Sequence, residues 1–138
     1  VSEQLILFSV VPGALSLSKS NFRLDNRAES DTWTGTLELE VADARGGESG
    51  WELTFGIEGC EEWAISQVLS QTSAEGSASG FRAHTSTQSF VSGEVTTLMS
   101  KDAQVGQSGS TGGVWSVVFR LIVTASDKSK VSPLVSLA

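Results

Sequence analysis

WTGTLELEVADARGGESGWELTFGI, residues 33–57, is the stretch on which the reading of the fold turns. In its first run Trp33, Leu37, Leu39 and Val41 share one parity, while Thr34, Thr36, Glu38 and Glu40 take the other. In its second run Trp51, Leu53, Phe55 and Ile57 alternate with Glu52, Thr54 and Gly56. Side chains on a strand point to opposite faces with period two, so each run offers one face to a core and one to water. The segment between them, residues 43–50, is made of glycine, serine and charged residues, turn formers that suit a reversal of direction. The stretch therefore predicts a β-hairpin.

Working outward, the same grammar recurs. Residues 5–11 (LILFSVV) form a continuous apolar run of strand length, closed by Pro12-Gly13, with an alternating pattern resuming over residues 14–18. A strand apolar on both faces needs cover on both, from its own chain or from another. Residues 19–31 are polar apart from Phe22 and Leu24 and read as a loop with at most one short strand. Trp63, Ile65 and Leu69 suggest a further strand whose parity breaks at Gln67, a short helix being the alternative. Residues 71–80 read as a loop, 81–91 as one or two weak strands, 94–99 as another, and 101–113 as a long polar loop. Residues 114–124 give a strong strand, with Trp115, Val117, Phe119, Leu121 and Val123 on one face and Val118 and Ile122 on the other. That strand is expected to be central or covered on both faces. The final run, 131–138, contains Pro133, which confines it to an edge or a strand start. Many short strands with frequent turn signals indicate an all-β fold, an antiparallel β-sandwich of Ig-like or Greek-key/jelly-roll-like type. Residues 1–138 are expected to form a single domain, with residues 1–12 as an exchangeable N-terminal strand.

Composition narrows the function classes. The net charge of −7 disfavours a nucleic-acid backbone and anionic lipid as partners, and no run is apolar enough to insert in a membrane. One cysteine, Cys60, cannot form an intramolecular disulfide and reads as a small buried hydrophobe. With a single histidine as well, a transition-metal site is not expected, and no motif requires calcium or any other cofactor. The lone His84 lies among hydroxyl residues without a G-x-S-x-G elbow, and the carboxylates fall mostly at outward or turn positions. No catalytic residue is expected. The abundance of Ser and Thr over Lys and Arg, and a start at Val1 without a basic, apolar leader, suit an exported chain whose signal has been removed.

Four tryptophans without a tyrosine are unusual. Trp51 and Trp115 share parity with core residues, whereas Trp33 and Trp63 stand at strand starts, where an aromatic platform for sugar is more plausible.

The residues VADARGGESGWEL resemble the WxL domain of Gram-positive surface proteins. That family shows V-x-D-x-R-G, a glycine-containing loop and then G-W-x-L, and Val41, Asp43, Arg45, Gly46, Gly50, Trp51 and Leu53 fill those places in order. The early SVVPGALSLS also looks like the family's first strand, while the distal Trp-x-Leu is replaced by Trp115-Ser116-Val117. The resemblance implies a non-catalytic, extracellular β-sandwich that associates with cell wall or with other surface proteins. The same residues have a structural reading: Asp43 and Arg45 pair to hold the turn, Gly46 and Gly50 allow its backbone angles, and Trp51 plugs the core. Three roles are thus expected to compete. One is a surface module binding peptidoglycan or a partner protein. The second is a self-assembling subunit that donates Leu5, Ile6, Leu7, Phe8, Val10 and Val11 to a neighbouring copy. The third is a carbohydrate-binding module using exposed tryptophans.

Overall fold

The computed structural model describes residues 3–4, 15–29, 31–43, 50–74, 80–84, 87–103 and 113–138. The expected strand donors Leu5 to Val11 lie outside the described residues, as do Arg45 and Gly46. The described elements are β1 (Glu3–Gln4), β2 (Leu15–Glu29), β3 (Thr32–Asp43), β4 (Trp51–Glu58), β5 (Glu62–Ala74), β6 (Phe81–Ala83), β7 (Ser89–Val91), β8 (Val95–Lys101), β9 (Gly113–Thr124) and β10 (Ser132–Leu137), with one 3-10 turn at Lys128–Lys130. All pairings are antiparallel. They build a six-stranded sheet in the order β1-β2-β3-β9-β5-β7 and a four-stranded sheet in the order β10-β4-β8-β6.

The β-sandwich expected from the alternation is what forms, but the hairpin is not. β3 pairs with β2 and β9, while β4 lies in the other sheet between β10 and β8. The segment between them crosses from sheet to sheet. Period-two patterning requires only that both apolar faces meet a core, and an arch between facing sheets meets that demand as well as a hairpin within one sheet. From β3 onward every strand lies in the sheet opposite its predecessor. This alternation is the connectivity of a jelly roll, not of the Ig arrangement.

Other expectations are corrected by register. Residues 19–29 are not a loop but part of β2, which pairs along β3 with irregularities after Leu17, Leu24 and Arg27. β5 is a strand, not a helix; its parity breaks because register shifts fall between Ile65 and Gln67 and between Val68 and Ser70. Each shift adds one residue on β5, the signature of a β-bulge. Residues 71–74, read as loop, continue β5 opposite β9. β9 is central, as expected, but among the described residues no second layer covers its outer face, and Ile122 is 39% exposed. Pro133 lies on β10, an edge strand, where a missing N–H is tolerated.

The core is one contiguous cluster between the sheets. Leu37, Leu39 and Val41 of β3, Leu53, Phe55 and Ile57 of β4, and Val117, Phe119, Leu121 and Val123 of β9 are fully buried. At about 1.5–3 kcal/mol for each large apolar side chain removed from water, this layer is the source of stability in a chain that can form no internal disulfide. Several stretches of sheet edge are blunted. β2 carries charged residues and bulges, β10 carries Pro133, and β6 and β7 are three residues long.

Candidate functional site

The residues of the WxL-like stretch gather at one pole of the sandwich. β3 ends there at Asp43, opposite Gly113, and β4 begins there at Trp51, opposite Lys101, which in turn faces Phe81. Trp51, Phe81 and Trp115 form a three-ring cluster, with centroids 5.6 Å apart for the two indoles and 6.0 and 6.1 Å from each to Phe81. Trp51 is 4% exposed, and Val41 and Leu53 are completely buried. Alternation from Val41 carries Asp43 inward as well, and alternation from Met99 does the same for Lys101. These are the only buried charged residues among those described. The Lys101 ammonium donates to the Asp102 carbonyl at 3.3 Å, and the Asp102 carboxylate takes both guanidinium arms of Arg82 at 2.8 Å each. Burial of a charge is tolerated only with such partners.

Gly50 is needed at this pole for a reason other than its backbone angles. Its φ is not in the left-handed region, but a Cβ there would come within 2.7 Å of the Lys101 carbonyl oxygen and 2.9 Å of the Ala103 nitrogen. Close approach of two backbones, not turn geometry, excludes a side chain. Trp51 and Leu53 thus act as core, as their parity predicts, whereas Gly50 does not serve the turn angle expected of it.

The opposite pole holds the other two tryptophans. Trp63 is not a platform: it is fully buried, stacked on Phe90 at 4.6 Å and edge-on to Phe55 at 5.5 Å. A strand start lies at the surface only if its side chain points outward, and Trp63 has inward parity. Trp33 is half-buried. Its indole N–H donates to the Ala125 carbonyl at 3.3 Å, and the Lys128 ammonium stands 5.0 Å from the ring centroid. One face of this ring is therefore already matched to a cation. Cys60 is half-buried against the core, with its thiol pushed up first by burial and then by the Glu61 charge. Gly59, at φ +78°, packs so closely on Lys130 that a Cβ would overlap the Lys130 carbonyl.

Two features of the outer face of the larger sheet escape sequence reasoning. Glu40 accepts from the Ser18 hydroxyl at 2.7 Å and from the Ser116 hydroxyl at 2.8 Å, so one carboxylate ties β2, β3 and β9 together. These hydroxyls hold its carboxyl below the usual range. Toward the opposite pole, a cleft of about 310 Å³ opens among Glu62, Ser66, Thr87, Ser89 and Ile122. Both features depend on which strands become neighbours, and period-two patterning does not carry that information. Among the described residues no group of three or more His, Cys, Asp and Glu side chains is placed to hold a metal ion.

Comparison with protein-family models, with curated proteins and with solved structures finds no match for this chain.

Proposed function

We propose that this chain is a non-catalytic structural or attachment module of a prokaryotic cell surface, extracellular, engaging cell wall or surface proteins, copies of itself included. The observation that carries this reading is the placement of the aromatic residues. Trp51, Trp63 and Trp115 are core, and Trp33 is engaged by Ala125 and Lys128. What the sandwich presents outward is hydroxyl-rich strand surface and sheet edge, surfaces suited to protein and polymer contact. The resemblance of residues 41–53 to the WxL domain supports the same class of role. The carbohydrate-module alternative loses its aromatic platform at Trp63 and retains only the partly engaged ring of Trp33.

The reading is tested by co-sedimentation of the purified chain with Gram-positive wall sacculi, intact and protein-stripped. Retention on either, undiminished in Trp33→Ala, is the expected result. Retention on neither sinks the attachment role, and loss on Trp33→Ala alone restores the carbohydrate module.

A further inference from the structure

The two long edges of the six-stranded sheet differ in chemistry. β7 covers β5 only at Glu62, Trp63 and Ala64. Beyond it, residues 66–74 read SQVLSQTSA, with no charge and no proline, and among the described residues they pair only with β9. The bulges at Ser66 and Leu69 kink the first part of this edge, but from Ser70 to Ala74 the register on β9 is unbroken. Beside it Leu69 is 38% exposed, and Val68 and Phe81 are only partly covered. Among the described residues this edge of β5 is left as an acceptor for one more strand.

We propose that this edge of β5 receives residues 5–11 of a second copy, joining the larger sheets of successive molecules head to tail. The inference rests on the structural reading above and names its partner. The chemistry matches: LILFSVV is as uncharged as the edge it meets, so a chain of net charge −7 brings no like charges together at the contact. Geometry excludes the same arrangement within one molecule. Glu3–Gln4 pairs with Phe22 and Arg23, and Leu15 opens β2, so both flanks of residues 5–14 are held at the far edge of the sheet. The open side of β5 lies five strand spacings from β1 and four from β2, about 24 and 19 Å. Ten residues that must go out and return reach only about 17 Å. A neighbour's segment has no such limit. The contact joins two different surfaces and does not close on itself, so it propagates as a filament.

Sedimentation velocity and negative-stain imaging of the full chain over a concentration series test this. The wild type is expected to grow beyond its 14.5 kDa protomer mass into filaments. Gln71→Lys, a change at an exposed acceptor position, is expected to stop at the protomer with an unchanged thermal midpoint. Ile6→Lys/Phe8→Lys, a change in the donor, is expected to stop there too. Mixing the two variants is expected to give a species of twice the protomer mass and nothing longer, because each retains the surface the other lacks. A wild type that stays a protomer throughout, or Gln71→Lys assembling as well as wild type, overturns the proposal. A protomeric wild type that still sediments with walls overturns this interface alone. Filaments with no retention on walls leave the interface standing without the wall-binding half of the functional reading.

Discussion

Trp33 and Trp63 lie in one row of the larger sheet, each paired with Val123 from opposite sides, yet their surroundings differ. Trp63 is roofed by Phe55 of the facing sheet and by Phe90, whereas Trp33 is half-buried at the rim of the core, with Lys128 of the 3-10 turn over its ring. Truncating a fully buried aromatic costs about 3–5 kcal/mol, through lost transfer energy and the cavity left behind. A cation–π contact at a half-exposed ring is worth about 0.5–1 kcal/mol. Urea denaturation is therefore expected to show Trp63→Ala losing several times as much stability as Trp33→Ala. Equal losses would mean that Trp33 is core after all. Both residues stand near strand starts in the sequence, and neither parity nor position reveals what roofs a side chain. That comes from the partner sheet.

Among the elements, what could be read in advance was what each strand's own residues encode. Trp51, Leu53, Phe55 and Ile57 announce a strand with one buried face, and Pro133 announces an edge; both hold. Strand pairing was not legible, because the alternation of residues 33–57 fits a hairpin and a sheet-to-sheet arch equally. β2 was obscured by its bulges and by the charged residues that protect its edge, and β5 by a bulge that shifted its parity at Gln67. At the motif pole, Trp51 could be placed in the core from parity, but Lys101 beneath it could not. Its inward direction follows from Met99, whose own facing depends on the irregular pairing of β8 with Leu53 and Thr54. The tie among β2, β3 and β9 through Glu40 gives a prediction at this scale. Its carboxyl is held low in the folded state, so its stabilisation is complete above the unfolded value of about 4.3 and is lost as pH falls through the folded value. The stability difference between wild type and Glu40→Gln is expected to be largest near neutral pH and to shrink toward pH 3. For this solvent-screened group it should stay under about 1 kcal/mol. Chemical denaturation at a series of pH values measures it, and a difference that grows on acidification contradicts the assignment.

Among the described residues every Phe and Trp side chain except Trp33 and Phe81 is buried, and strand edges and hydroxyl-rich faces lie outward. Such a surface suits the proposed recognition of partners through backbone pairing and shape, not through rings stacked on a ligand. The most direct test is amide hydrogen exchange, read by mass spectrometry, on the chain as a dilute protomer and as the concentrated assembly. The account predicts slowed exchange over Ser70–Ala74 at the edge of β5 and no change around Trp33. Protection centred on Trp33, with the edge of β5 unaltered, would contradict it.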